Sequence, residues 1–186
     1  VSARCRAWTI DSFPLAAASI WRATRSWSSS SGQPTAPGTP YGFAKDALRR
    51  QLEFLRTESP FALIWTRLFY VYGDCPGRRT LYTLLKEAAE RGDASFPMSR
   101  GEQIRDYISV EDVARHLIQL VAKQADLGVV NMCSGAPISV RGRVEGWMAA
   151  NGWKMTLELG RYPIPDYEPF AFWGDRARLD EIATAP

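Results

Sequence analysis

The sequence has few of the residues on which several large classes of protein depend. It contains one histidine, His116, so a Ser-His-Asp or Cys-His catalytic scheme would rest on that residue alone. His116 stands between apolar residues of a predicted helix, which favours a buried structural role. The three cysteines, Cys5, Cys75 and Cys133, lack C-x-x-C spacing, and no metal-ligand spacing is present. These absences predict a cytoplasmic protein with reduced thiols and without a metal centre.

Two further absences concern membranes and nucleic acids. No uninterrupted apolar run approaches the roughly 20 residues of a membrane-spanning helix. The net charge is only +3 and the basic residues are scattered, whereas a nucleic-acid-binding face carries a basic stripe. We therefore expect neither a membrane nor a nucleic acid among the partners of this chain.

What the sequence does contain is the pattern of a globular protein with alternating strands and helices. Hydrophobic residues make up 46% of it and charged residues 23%. The periodicity predicts helices over residues 41–57, 81–91, 110–123, 140–150 and 175–182, and strands over residues 61–69, 103–108, 129–132 and 155–159. The run at 61–69 is apolar almost throughout, which is typical of a strand buried on both faces of a parallel sheet. The alternation predicts an α/β fold.

The N-terminal part differs from the rest of the chain. Residues 1–20 show neither strand nor helix periodicity, and the serine run at 28–31 precedes three prolines, Pro34, Pro37 and Pro40. We therefore expect residues 1–38 to form an irregular segment. Residues 39–186 are expected to form the folded unit.

Tyr41 and Lys45 are the first candidates for catalysis. They lie four positions apart on a predicted helix, so their side chains share one face. An ammonium beside a phenol favours the phenolate form, and such a tyrosine can exchange a proton with a hydroxyl or ketone while a nicotinamide exchanges hydride. A Tyr-x-x-x-Lys pair is short enough to arise by chance, so its meaning depends on the sequence around it.

Four motifs follow one another in the chain and give the pair a context. Residues 40–45 (PYGFAK) are followed by residues 67–73 (RLFYVYG), 101–114 (GEQIRDYISVEDVA) and 130–140 (VNMCSGAPISV). In this order and at these distances they resemble the extended short-chain dehydrogenase/reductase family, whose active-site helix begins with the first motif. The tail at 173–179 is also similar. The resemblance covers roughly residues 39–140.

The resemblance implies a nucleotide-sugar epimerase, 4,6-dehydratase or 4-ketoreductase that uses NAD or NADP. It implies that Tyr41 is the acid/base, that Lys45 supports it and binds the cofactor ribose, and that Arg105 binds the diphosphate of a sugar nucleotide. A guanidinium suits phosphate oxygens, although Arg105 could instead pair with Asp106 or Glu102. Tyr70 occupies a substrate-binding position at which the family usually has asparagine. The implied fold is the C-terminal part of a Rossmann-like parallel sheet plus a small substrate-binding lobe.

One expected element of the family is missing from the sequence. No G-x-G-x-x-G follows a strand, although the family's first βαβ unit places those glycines against the cofactor pyrophosphate. We therefore expect the N-terminal βαβ unit to be absent, through a fragment, a truncated gene, or a frameshift with the frame restored near Gln33. Weak or absent NAD(P) binding and no turnover by this chain alone are expected to follow. The alternative is a non-catalytic remnant or interaction module, with a homodimer formed through the helix that starts at Tyr41, as the resemblance implies.

Overall fold

A computed structural model describes residues 26–29, 35, 37–74, 77–164 and 169–184, and of 26–29 only the backbone. The strands are β1 (Ser26–Ser29), β2 (Ile64–Leu68), β3 (Tyr70–Tyr72), β4 (Ser95–Pro97), β5 (Ile104–Ser109), β6 (Gly128–Met132), β7 (Pro137–Ser139), β8 (Thr156–Glu158) and β9 (Ala171–Gly174). The helices are α1 (Pro40–Glu58), α2 (Leu81–Arg91), α3 (Val110–Ala122), α4 (Val140–Asn151) and α5 (Ala177–Thr184). The predicted α/β class is confirmed.

The strands pair mostly in parallel. One sheet has the order β1-β9-β5-β3, with β7 added antiparallel to β5, and the pairs β2–β6 and β4–β8 are also parallel. β5 has a central place because β3, β7 and β9 all pair with it. The register sets Tyr70 beside Tyr107 and Arg67 beside Asn131. Parallel pairing with helical connections is the expected architecture of a partial Rossmann domain.

Two apolar clusters form most of the described core. The first packs α3 and α5 against β2 and β6, and its buried residues are Ile64, Leu68, Ile108, Val113, Leu120, Val130, Met132 and Leu179. The second joins α2, α4, β4 and the nearby loops through Leu85, Ala88, Phe96, Met98, Val144 and Trp147. A small third cluster holds Phe69 and Phe172, whose stacked rings have centroids 5.0 Å apart. The second cluster packs α2 and α4 against the β4–β8 pair.

The helices begin and end at side chains that satisfy their free backbone groups. Thr80 caps α2 in a capping box with Thr83, and Gly92 ends it in the left-handed region at φ 76°. Ser109 accepts a hydrogen bond from the Asp112 amide at the start of α3, and Ser139 does the same for Gly142 at the start of α4. These caps explain why the sequence predicted α2 to the residue and the starts of α3 and α4 as well.

Several details differ from the sequence predictions. The backbone of Ser26–Ser29 is a strand, so the expectation of an irregular segment over 1–38 does not hold for those four residues. Most of that segment lies outside the described residues, as do Cys5, Cys75 and residues 165–168. The short strands β3, β4, β7 and β9 were not predicted. None of the helices in the described ranges is both long and apolar enough to cross a membrane.

Candidate functional site

The first turn of α1 carries the two residues predicted to act in catalysis. Thr39 caps the helix, its hydroxyl oxygen accepting a hydrogen bond from the Gly42 amide at 3.1 Å. Pro40, at the first helical position, has the fixed φ that a helix start favours. Tyr41 is 36% exposed, and the Lys45 ammonium nitrogen lies 5.3 Å from the centroid of its ring. The structure therefore brings the predicted pair together at an accessible helix end.

A buried carboxylate anchors α1 directly after Lys45. Asp46 is 5% exposed and accepts hydrogen bonds from the Thr35 hydroxyl at 2.6 Å and from the guanidinium groups of Arg49 and Arg50. Burial alone would raise the pKa of Asp46, but these hydrogen bonds outweigh it and hold the pKa below its ordinary value. The charged Asp46 thus ties the start of the helix to the preceding segment at Thr35.

The same polar face of α1 lies near a buried arginine of β2. Arg67 is 5% exposed, and burial together with the neighbouring charge of Arg49 lowers its pKa to about 10. The carboxylates of Asp46 and Glu53 act in the opposite direction and favour the charged guanidinium. Charged groups of α1 therefore lie close enough to the buried Arg67 of β2 to affect its protonation.

Several large apolar side chains of α1 are exposed on its surface. Phe43 is 66% exposed, Phe54 72% and Leu55 51%. The apolar spacing correctly predicted a helix. It did not identify which face of that helix is buried in this chain.

The two predicted substrate-binding residues lie on neighbouring strands. Tyr70 is on β3 and Arg105 on β5, with the guanidinium carbon 5.4 Å from the centroid of the Tyr70 ring. Tyr107 completes the group, since its ring centroid is 5.7 Å from that of Tyr70. Sequence reasoning did not single out Tyr107, although it stands two residues after Arg105 on the same face of β5.

Arg105 itself is enclosed by the protein. It is 2% exposed, and one of its terminal nitrogens donates to the carbonyl oxygens of Ile104 at 2.9 Å and Phe170 at 3.1 Å. This placement differs from an arginine that projects into an open cleft. A diphosphate that bound this terminal nitrogen would replace the two backbone carbonyls as its acceptors.

The sequence analysis named Asp106 only as a possible ion-pair partner of Arg105. In the structure its carboxylate binds other groups. It is fully buried, and its carboxylate accepts hydrogen bonds from the Ser134 amide and hydroxyl, both at 2.7 Å. It also accepts from the amides of Gly135 at 3.0 Å and Gly174 at 3.2 Å. This one side chain therefore joins β5 to the loop after β6 and to the end of β9.

The remaining sequence candidates are embedded in the core. His116 is 7% exposed, with its ring nitrogens within hydrogen-bond distance of the Gln119 side chain and of Arg176. Cys133 is free and fully buried, and burial raises the pKa of its thiol well above the ordinary value. Within the described ranges no group of three or more histidine, cysteine, aspartate or glutamate side chains could hold a metal ion.

Solved structures share this architecture. UDP-glucose 4-epimerase from Thermotoga maritima, in a structure with UDP-glucose, superposes with a TM-score of 0.76 at 22% identity over 89% of this chain and 54% of the epimerase. dTDP-glucose 4,6-dehydratase from Streptomyces venezuelae, with NAD and TYD bound, superposes with a TM-score of 0.70 at 15% identity over 90% of this chain and 52% of the dehydratase. At such identities the likeness establishes the fold. It is a Rossmann-type α/β fold.

Sequence comparison then places the chain within a family. The model of the NAD dependent epimerase/dehydratase family matches residues 23–133, and the chain belongs to that family. A curated relative, dTDP-6-deoxy-L-talose 4-dehydrogenase (NAD(+)) from Aggregatibacter actinomycetemcomitans, is 29% identical over 143 residues, which are 76% of this chain and 52% of the relative. The resemblance to extended short-chain dehydrogenases/reductases is confirmed. The family match begins before Gln33, and the chain spans about half the length of the relatives it matches.

Proposed function

We propose that this chain carries the proton-transfer and substrate-binding part of an NAD(P)-dependent enzyme that modifies the sugar of a nucleoside diphosphate sugar. The observation that supports this most directly is the accessible Tyr41 with the Lys45 ammonium 5.3 Å from its ring centroid, at the capped start of α1. The reaction is an epimerisation, a 4,6-dehydration or a 4-keto reduction. The relative from Aggregatibacter, named as an NAD(+)-dependent 4-dehydrogenase, makes NAD the first cofactor to test.

Tyr41 is the proposed acid/base. Its phenolate would take a proton from the sugar hydroxyl, or its phenol would return one to the ketone oxygen, and a nicotinamide bound beside it would supply the hydride chemistry at the sugar carbon. Lys45 stabilises the phenolate by its charge and donates a hydrogen bond to the cofactor ribose. The buried, charged Asp46 beside Lys45 contributes by fixing the helix start on which both residues lie.

Arg105 and Tyr70 are the proposed contacts to the diphosphate of the substrate. The pair is already organised, since the guanidinium lies over the tyrosine ring. Binding exchanges the carbonyl acceptors of Ile104 and Phe170 for phosphate oxygens, which are stronger acceptors because they are charged. Movement of Phe170, which precedes β9, is therefore part of the proposed binding step.

The residues of this chain suit the nicotinamide end of NAD(P) but not its pyrophosphate. The exposed Tyr41 and the half-buried Lys45 suit the nicotinamide ribose, whereas the sequence contains no G-x-G-x-x-G turn to receive the pyrophosphate. We therefore expect this chain alone to bind NAD(P) weakly and not to turn over a nucleotide sugar. Residues 39–186 are proposed to comprise the partial Rossmann domain and the substrate lobe.

Titration of the chain with NADH and NADPH, followed by nicotinamide fluorescence, tests this assignment. We expect weak binding that Lys45→Met weakens further. Lys154→Met removes the same charge from an exposed position in the loop after α4 and should leave binding unchanged. Binding that is indifferent to Lys45→Met would contradict the role given to Lys45, and micromolar affinity would contradict the expected weakness.

A second function, dimerisation, is favoured by the outward apolar side chains of α1. Phe43, Leu48, Phe54 and Leu55 are all exposed along this one helix. Exposed apolar patches of this kind mark interaction surfaces in soluble proteins. We propose that α1 pairs with the same helix of a second copy, and that this contact can form whether or not the chain turns over a substrate.

A further inference from the structure

The guanidinium of Arg143 on α4 lies over two aromatic rings that also contact each other, with the centroids of Tyr72 and Trp147 5.0 Å apart. Its guanidinium carbon lies 4.4 Å from the centroid of Tyr72 and 5.3 Å from that of Trp147. Such a contact attracts the charge to the ring electrons but supplies no ordinary hydrogen-bond acceptor. The N–H groups of a guanidinium lie in its plane and need acceptors of their own.

Within the described residues, one of these groups, the Nε–H of Arg143, has no acceptor. Its Nε is buried, and throughout the part of the chain that the structure describes no side chain or backbone oxygen accepts a hydrogen bond from this nitrogen. A charged group removed from water without a hydrogen-bonding partner destabilises a fold unless something else completes it. Arg143 is therefore held in a fixed orientation with hydrogen-bonding capacity left over.

Arg143 also lines a pocket of about 380 Å³ at the ends of β3 and β5. That volume falls in the range of small-ligand pockets, roughly 300–1,000 Å³. The lining combines aromatic and apolar surface with polar groups, and includes Tyr72, Tyr107, Pro137, Ile138, Ser134 and Arg176. The pocket can therefore receive an organic body as well as a charged group.

The other charged groups of the pocket are already engaged. Asp112 accepts hydrogen bonds from the Ser109 hydroxyl at 2.8 Å and from Arg115 at 2.6 Å. Arg176 donates to the Asp180 carboxylate at 2.7 Å and to the Cys133 carbonyl at 3.3 Å. Among the described charged residues that line the pocket, Arg143 is therefore the one whose charge is available to interact with a ligand.

We infer that this pocket binds a small organic oxyanion, with the phosphate or carboxylate group held in the plane of the Arg143 guanidinium and the organic body against Tyr72 and Tyr107. Planar, doubly directed recognition of an oxyanion is the arrangement for which arginine is best suited. The pocket lies beside the proposed substrate contacts, since Tyr107 lines it and the ring centroid of Tyr107 is 5.7 Å from that of Tyr70. The inference is argued from Arg143 and the pocket, and not from the role proposed for Tyr41.

Two ligands with similar bodies and different anions test the inference on the 186-residue chain. Phenyl phosphate and phenylacetate are titrated, with benzyl alcohol as the uncharged comparison, and the Nε–H signal of Arg143 is followed by ¹⁵N NMR. We expect saturable binding of at least one anion, with movement of that signal, and none of the alcohol. Tighter binding of phenyl phosphate identifies a phosphate ester as the ligand class, and tighter binding of phenylacetate identifies a carboxylate.

Arg143→Gln supplies the second measurement, and Arg91→Gln on α2 makes the same charge change at an exposed arginine paired with Asp93. Loss of a charged hydrogen-bonding contact should weaken anion binding by about 10–100-fold in Arg143→Gln and leave it unchanged in Arg91→Gln. If Arg143→Gln does not fold, the titration of the unmodified chain decides alone. Absence of saturable binding of both anions, equal binding of the alcohol, or an unmoved Arg143 signal overturns the inference.

Discussion

The ammonium nitrogen of Lys45 lies 5.3 Å from the centroid of the Tyr41 ring, one helical turn along the same face of α1. This relationship follows directly from the four-residue spacing. Its position is set by the Thr39 cap before the pair and the buried Asp46 after it. The proton transfer proposed for the chain depends on this geometry. The stability of the chain depends on other contacts, which can be tested separately.

Asp106→Asn should destabilise the chain. The carboxylate accepts hydrogen bonds from Ser134, Gly135 and Gly174, and an amide would direct an NH₂ group at some of these donors. Leaving buried donors without an acceptor lowers the free energy of unfolding, here by about 2–4 kcal/mol. Urea unfolding measures this, with Asp93→Asn as the control at a partly exposed carboxylate that pairs only with the exposed Arg91 among the described residues. A value within experimental error of the unmodified chain would show that Asp106 does not join the three segments energetically.

Gly174→Ala should also destabilise the chain, for a steric reason. A Cβ at Gly174 would lie 2.5 Å from the Cys133 sulfur and 2.9 Å from the Phe69 ring. Overpacking of this kind lowers stability by about 1–3 kcal/mol. Gly146→Ala on α4 is the matched control, because nothing lies within 4 Å of its Cβ position. That control should be neutral or stabilising by up to about 1 kcal/mol. Equal melting temperatures for the two variants would contradict this packing.

Phe54→Glu should weaken the proposed dimer. Phe54 is 72% exposed on the outward face of α1, where a charge would oppose apolar contact between two copies. Ile118→Glu makes a comparable change on α3, at a residue that is 71% exposed. Sedimentation velocity over a concentration series should show a dimer for the unmodified chain and for Ile118→Glu, and mostly monomer for Phe54→Glu. A chain that stays monomeric throughout, or two variants that behave alike, would rule out pairing through α1.

The sequence predicted the elements that are defined by local signals. α2 was predicted to the residue from its amphipathic pattern and from Gly92, which ends it, and β2 and β6 were predicted because both are apolar runs. The strands that were missed are three or four residues long and depend on distant partners. β3, for example, exists because Tyr70 to Tyr72 pair with residues 107–109. No periodicity can appear in so short a segment.

In the candidate site too, some features depend on residues close together in the sequence and others on residues far apart. The spacing of Tyr41 and Lys45 was sufficient to place them together. The burial of Arg105 depends on the carbonyl of Phe170, which is 65 residues away, and the motif around Arg105 carries no sign of it. The free hydrogen-bonding capacity of Arg143 results from packing among Tyr72, Tyr107 and Trp147, on three separate elements. Resemblance to a family suggests the role of a residue. The burial of that residue and its unsatisfied hydrogen bonds are known only from the folded structure.

The role of Tyr41 can be measured once the cofactor has a complete site. Because this sequence has no G-x-G-x-x-G turn, the test uses a chimera in which the N-terminal half of an active family member precedes residues 39–186. Tyr41→Phe removes only the hydroxyl. Tyr162→Phe makes the same change at a tyrosine that is 56% exposed and lies in the loop between β8 and β9.

Turnover of a nucleotide sugar by this chimera, with and without the Tyr41 hydroxyl, tests the central claim most directly. The account predicts that Tyr41→Phe lowers kcat by about 10²–10⁴-fold, the usual contribution of a positioned acid/base, with little change in KM. Tyr162→Phe should keep full activity. An unchanged kcat in Tyr41→Phe, in a chimera that is active before the substitution, would contradict the assignment of Tyr41 as the acid/base.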